Sequence, residues 1–491
     1  MKNIKKFFAV LIALVMSISM ATTAFAADTY SITINNSNTG HTYEAYQIFS
    51  GSLSKNGVLS DIQWGYSVSD TGKNALGKAA TKAETLVTEA DAKAFADEVA
   101  KYLTSPVGSA NAPTDGKYVI SGLSTGYYLV KDKDNSLQGG NDSYTSYILK
   151  VVADVTADPK SDAPESAKKV MDTNDTTGAT TGWQDSADYD IGDKVPFQLT
   201  GTLPANYSEY ETYTLIFHDT ESAGLTFDKD SVKVYVDGKA ITSGYTVVTE
   251  GLDDGCTFEV RFADVKSIAA ATDGSVITVE YNSLLNENAV IGAEGNKNTM
   301  NMEYSNNPNA EQGGTPGDTG KTPDDTAIVF TYQTVINKVD ENNAPLTGAE
   351  FTLEKKLANG RWETISVVKN DEGTTFTFAG LDDGDYRLKE TKTPDGYNSI
   401  DPIEFTITAE HEVLSDVPAL TSLNGNATSG EITLVSNLAN GSLTSNIVNQ
   451  SGSTLPSTGG IGTTIFYIVG AVLVLGAVVL LITKKRVGTA K

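Results

Sequence analysis

Apolar and polar side chains alternate in short runs along most of this chain, with turn residues between the runs, and this pattern predicts β-strands. The first runs cover 30–35 and 43–49, and the pattern returns at 127–130 and 147–152. Over 74–103 the period changes: Ala and Leu recur at helical spacing, with Ala94, Phe95, Val99 and Leu103 on or near one face. A first domain over 28–158 is therefore expected to be strands with helical insertions. From about 164 to 308 the pattern is all β, with strands predicted at 168–170, 195–200, 212–218, 231–236, 256–262, 276–281 and 298–305. Turn pairs such as Asp237-Gly238 and Asp254-Gly255 separate them, which predicts a two-sheet sandwich. Residues 309–327, rich in Gly, Pro, Thr and Asp, read as a linker. Strand pattern resumes from 328 to 450, as a third domain.

The two ends follow other rules. Lys2, Lys5 and Lys6 precede an apolar stretch at 7–20, and Ala24-Phe25-Ala26 follows it. This is the order of a secretory signal peptide, 1–27, and cleavage is expected after Ala26 or Ala27. At the other end, 461–482 carries no charge and is long enough for one helical crossing of a bilayer. Lys484, Lys485 and Arg486 behind it are expected to stay on the cytoplasmic side.

Charge and cysteine usage narrow the function. The whole chain carries 36 basic and 62 acidic side chains, net −26. Removing the seven basic residues of the two ends leaves a secreted part near −33. Such a surface excludes nucleic acid as a partner and favours solubility outside the cell. With one cysteine, Cys256, no internal disulfide can form, so a secreted chain of this size needs another stabiliser. Cys256 itself reads as a small buried residue. The histidines at 41, 218 and 411 show no metal-ligand spacing, and no nucleophile elbow, P-loop or dinucleotide fingerprint is present. No metal, no cofactor and no turnover catalysis are expected.

Four motifs carry a family resemblance. LPSTGG, with Leu455, Pro456, Ser457, Thr458 and Gly459, followed by the apolar span and the basic tail at 451–491, resembles the cell-wall sorting signal of Gram-positive surface proteins. The resemblance implies cleavage by a sortase between Thr458 and Gly459. The stretch 155–161, with Pro159-Lys160 at its core, resembles the pilin motif of sortase-assembled shaft subunits, with Asp158 and Ser161 departing from its Tyr and Asn. It implies that Lys160 takes up the Thr458 acyl group of a neighbour. The stretches 191–197, 218–225 and 304–308 resemble the isopeptide-forming middle domain of fimbrial shaft proteins (159–308). The series 335–340, 346–351, 378–381, 386–391, 394–397 and 447–449 resembles the collagen-adhesin B-type domain. The expected fold is mainly β, in tandem immunoglobulin-like sandwiches.

In those domains the resemblance implies an intramolecular amide between a first-strand lysine and a last-strand asparagine, promoted by an acid. Burial would strip the lysine of its proton and keep the acid protonated. The roles fall to Lys338, Asn449 and Glu390 in the third domain. In the middle domain they fall to Lys168 or Lys169, Asn306 and Asp219. Strand parity favours Lys168, which shares a face with Val170; Asn298 and Asn307 are the alternatives to Asn306. The bonds would close loops of 138 and 111 residue steps. A cross-link over about 100 residues contributes roughly 5 kcal/mol in the chain-entropy model.

The chain is thus expected to be a shaft-forming pilin, secreted and peptidoglycan-anchored, supporting adhesion. Expected partners are a pilus-type class C sortase, a housekeeping sortase, other copies of itself, ancillary pilins and a host surface ligand. An ancillary pilin or single anchored adhesin is the alternative, and would not need Lys160.

Overall fold

The structure, a computed structural model, describes residues 29–54, 57–159, 163–309, 318–365, 369–371, 373–453 and 461–487. The expected signal peptide, 1–27, lies outside the described residues. Three β domains follow one another, and four apolar clusters form their cores: two in the first domain and one in each of the others.

The first domain holds a three-stranded sheet, in which Tyr30–Asn35 pairs with Lys117–Leu123 and Val155–Ala157, and a five-stranded sheet built on Tyr43–Leu53 and Gly126–Asp132. The helical insert is three helices: Asp70–Leu76, Ala79–Glu84 and Glu89–Ala100. Thr88 and Asp91 form a capping box at the start of the third, satisfying two of its free backbone donors. Phe95 and Val99 are buried as the spacing predicts, but Ala94 faces solvent, and Ala96 and Ala100 complete the inward stripe.

The middle domain is a sandwich of a six-stranded and a seven-stranded sheet. Every predicted strand is present, and the boundary moves. Thr319–Lys321 and Asp325–Phe330 both pair with Asn296–Ser305, so much of the expected linker completes the second sheet. Only 310–317 of that stretch lies outside the described residues. Alternation in Asp325–Phe330 was short enough to be masked by the Gly, Pro and Thr around it. The strand's backbone donors and acceptors find partners only in residues far away in sequence.

The third domain packs two five-stranded sheets. Its first strand, Tyr332–Asp340, runs parallel to its last, Ser442–Asn449, with Gln333 to Asp340 opposite Ser442 to Asn449. Long side chains and backbone both fasten the domains to each other. Lys355 of the third domain, almost fully buried, meets Asp175 (3.0 Å) and Asp190 (2.5 Å) of the middle domain and its own Asp382 (3.2 Å). Gly292 and Gly441, both at positive φ, touch across the same junction. A Cβ on Gly292 would come within 2.5 Å of Gly441 N, so neither position has room for a side chain.

Beyond the third domain stands the helix Ile461–Val487, whose segment Thr464–Lys485 is long and apolar enough to cross a membrane.

Candidate functional site

Inside the middle sandwich, alternation decides which side chains face inward. Lys168 lies on Glu165–Thr173, opposite Leu199, and shares its face with Val170. Its side chain is fully buried. Lys169 points the other way, is partly exposed and pairs with Asp185, so it is not in the pocket.

Lys168 Nζ lies 2.5 Å from Asp219 Oδ2 and 2.8 Å from the Tyr281 hydroxyl. The Tyr281 O–H donates to the same Asp219 oxygen at 2.9 Å. Asp219 sits on Leu215–Glu221 of the opposite sheet, with no exposure. Burial lowers the Lys168 pKa against the pull of Asp219, and burial raises that of Asp219 against the pull of Lys168. Both shifts favour the uncharged pair: a free amine beside a carboxylic acid. Burial also lifts Glu221, the next inward residue on that strand, to about 7, with the Asp219 carboxyl adding to the effect.

The carboxamide in this pocket belongs to Asn298. It is fully buried, and its Nδ2 donates to the Tyr281 hydroxyl at 2.9 Å. Asn306 is a correction to the expectation. It is also buried, but its Nδ2 donates to the carbonyls of Leu137 (3.1 Å) and Asp142 (3.3 Å) in the first domain, and its own carbonyl accepts from Tyr144 N. Asn306 therefore fastens the first domain to the middle one. Asn307, the other alternative, accepts from Asn309 N. Asn298 and Asn306 share a face because they are an even number of residues apart, so parity does not separate them. Eight residues of strand span about 27 Å. The pocket's position along the strand is fixed by pairing, with Glu221 opposite Asn298 and Asp219 opposite Met300.

Tyr281 was not singled out in the sequence as a site residue. Its signal is there, since it stands in the middle of an inward alternation that runs from Ile277 and Val279 to Ser283 and Leu285. A buried tyrosine at that position reads as core unless its hydroxyl partners are known.

In the third domain Asn449 and Glu390 are in contact, and Lys338 lies on the same face. Lys338 is opposite Ile447 and Asp340 is opposite Asn449, so Lys338 and Asn449 lie diagonally on one face of neighbouring strands. Both are fully buried. Lys338 Nζ donates to the carbonyls of Val339 (2.9 Å) and Ile447 (3.0 Å), and burial lowers its pKa. Glu390 comes across from the facing sheet, on Gly384–Lys392. Asn449 Nδ2 donates to both its carboxylate oxygens, at 3.0 and 3.1 Å, and to Asn398 O at 3.0 Å. In both pockets the asparagine Oδ1 is buried without a hydrogen-bond partner. Such an atom costs free energy while it stays that way.

Among the described residues the first domain has no fully buried lysine. Its buried polar centre is His41, with Nδ1 at 2.8 Å from Asp132 and Nε2 at 3.0 Å from Asp142. Lys160 and the sorting residues Leu455, Pro456, Ser457, Thr458 and Gly459 lie outside the described residues.

Comparison with known proteins agrees with this layout. Residues 191–308 match the model of the Gram-positive pilin backbone subunit 2, Cna-B-like domain. Residues 333–417 match a prealbumin-like fold domain, and 447–487 match the LPXTG cell wall anchor motif. The Cna-B-like model thus covers the middle domain, and the prealbumin-like model covers most of the third. The trypsin-resistant surface T6 protein of Streptococcus pyogenes is 28% identical over 393 residues, covering 67% of this chain and 70% of its own. Among solved structures, the T6 backbone pilin of Streptococcus pyogenes superposes with a TM-score of 0.56 at 20% identity, over 88% of this chain and all of that one. The full-length major pilin SpaD of Corynebacterium diphtheriae gives 0.51 at 17% identity, over 87% of this chain and 98% of its own.

Proposed function

We propose that a backbone-pilin domain, a prealbumin-like domain and a cell-wall anchor in series make this chain a sortase-assembled shaft subunit of a surface pilus, joined to its neighbours and to itself through named residues. It is secreted and anchored to the cell wall, and its role is structural rather than enzymatic. In our reading, sortase cleaves after Thr458 and the acyl group passes to Lys160 of the next subunit. A head-to-tail contact of this kind never closes on itself and yields a fibre. A pilus-type class C sortase would make these joins, and a housekeeping sortase would attach the finished polymer to peptidoglycan. Ancillary pilins and a host surface ligand complete the proposed partners.

Within the subunit, two self-formed amides are proposed: Lys168 to Asn298, and Lys338 to Asn449. The neutral lysine amine attacks Cγ of the asparagine, the Cγ–Nδ2 bond breaks, and ammonia leaves. The acid, Asp219 or Glu390, takes the proton lost by the amine and supplies one to the departing nitrogen. Atoms balance without a co-reactant. The observation that carries this reading is the buried Lys168–Asp219–Tyr281–Asn298 chain of contacts, where burial favours the uncharged amine.

Replacing Lys160 with Ala in the living bacterium tests the intermolecular join. Cell-wall extracts of the wild type should run as a ladder on a denaturing gel, and those of Lys160→Ala as a single anchored band. A ladder that survives the change moves the join to another lysine.

A further inference from the structure

The contact between the first and middle domains is a second buried polar arrangement that cross-linking does not use. Ser143, Tyr144 and Thr145 lie at this contact, and their backbone donors divide between the two domains. Ser143 N donates to Asp142 Oδ1 and Thr145 N to Asp132 Oδ2, both at 2.8 Å, and the Thr145 hydroxyl donates to that same Asp132 oxygen at 3.0 Å. Tyr144 N, between them, turns the other way and donates at 2.8 Å to the backbone carbonyl of Asn306. The rest of the loop follows it onto the middle domain. Gly139 N donates to Thr319 O at 2.8 Å, Gly140 O accepts from Lys321 N at 3.2 Å, and Asn141 Oδ1 accepts from the Tyr304 hydroxyl at 3.1 Å.

We propose that His41 is the residue that couples the first domain to the middle one, by bridging the two carboxylates that hold this docking segment in place. His41 is fully buried, and each ring nitrogen meets one carboxylate: Nδ1 at Asp132 Oδ1 and Nε2 at Asp142 Oδ2. Only the imidazolium has an N–H on both nitrogens, so only that form satisfies both contacts. Asp132 ends the strand Gly126–Asp132 and Asp142 lies in the loop beyond it, and both are nearly free of solvent. Without a cation between them, two buried carboxylates repel. Asn38 Nδ2 also donates to Asp142, at 2.6 Å, but brings no charge. The coupling therefore runs from His41 through Asp132 and Asp142 to the backbone of Ser143 and Thr145, and from Tyr144 between them to Asn306. The other titratable groups around it do not replace the imidazolium. Tyr43 stacks on its ring, Tyr118 meets its edge, and Tyr144 and Tyr304 lie near the carboxylates; burial raises all four phenols, which stay neutral. Asp134 and Asp318 add only negative charge. As His41 loses its proton near pH 9, one carboxylate loses its N–H donor and the docking segment loses part of its support.

Hydrogen exchange and small-angle X-ray scattering on the mature chain, residues 28–458, test this together. After correction for the intrinsic pH dependence of exchange, amides of the 137–145 loop should lose protection by about tenfold or more between pH 7 and pH 10, as a locally opened segment does. The radius of gyration should rise over the same interval, while amides of the strand Tyr30–Asn35 keep their protection. His41→Gln should show the open behaviour already at pH 7. Asn306→Ala leaves the His41 bridge intact and removes the side-chain contact on the middle domain; it should be expanded at pH 7 and show a weaker scattering response to pH. Three results would each overturn the coupling role. The first is a wild-type loop and radius unchanged up to pH 10. The second is Asn306→Ala with the scattering and pH response of the wild type. The third is a loss of protection in Tyr30–Asn35 equal to that of the loop, which would make His41 a stabiliser of the first domain alone.

Discussion

Lys168 and Asn298, 130 positions apart, both hydrogen-bond the Tyr281 hydroxyl, at 2.8 and 2.9 Å. That shared oxygen sets an amine and a carboxamide side by side in a pocket that water does not reach. Each amide formed from such a pair releases one ammonia, about 17 Da. The mature chain should therefore weigh about 34 Da less than its formula, by that same chemistry. Lys168→Ala and Asn298→Ala should each restore half of the deficit, after allowing for the substitution. Asn306→Ala should restore none of it, because its amide group serves the contact with the first domain. Intact-mass spectrometry reads all four proteins, and a restored mass in Asn306→Ala would return the expectation drawn from the sequence.

Glu390 offers a second test. Asn449 Nδ2 rests on both its oxygens, where the leaving ammonia must collect a proton. Glu390→Ala should fold without the third-domain bond, again heavier by about 17 Da than the cross-linked form. The same variant should lose roughly 5 kcal/mol of third-domain stability, the chain-entropy value for a loop of about 100 residues. Calorimetry and mass spectrometry on one sample check whether the two losses occur together.

These two pockets also show how far the sequence could be read. In the third domain the lysine lies near the end of the first strand and the asparagine closes the last, and those strands are neighbours, so the match of Lys338 with Asn449 that the resemblance implied needed only the order of the strands. In the middle domain the partners come from opposite sheets. Which inward asparagine meets Lys168 then depends on how the sheets lie across each other, and a period of two repeats along the strand without marking that position. Asp219 was legible because the turn and strand around it resemble a known pattern. Tyr281 was not, because only its hydroxyl's partners distinguish it from an ordinary core tyrosine. The strand Asp325–Phe330 was hidden for a related reason: its partners are distant and its surroundings have the composition of a linker.

The third prediction concerns the first domain. Burial opposes a charge on His41, but the hydrogen bonds and charges of Asp132 and Asp142 outweigh it and raise the pKa from 6.5 to about 9. A group held charged in the folded state contributes its stability below its unfolded pKa and loses it as pH rises through the folded one. The contribution, of order 3 kcal/mol, should be complete below about pH 6.5 and gone above about pH 9. Calorimetric scans between those limits should show the first domain melting progressively earlier. His41→Gln should melt early at every pH and lose that slope; an unchanged slope in the variant would place its origin elsewhere.

One consequence follows from the parallel pairing of Tyr332–Asp340 with Ser442–Asn449. With Lys338 bonded to Asn449 as proposed, the 111 residue steps between them could never be drawn out, and a Lys168–Asn298 bond would withhold 130 more. At about 3.4 Å per extended residue this is some 800 Å of contour removed from each subunit. What remains in line from Lys160 to Thr458 is a short route of strand segments, so a fibre of these subunits should be nearly inextensible. The first domain, attached ahead of Lys160, would lie off that route altogether.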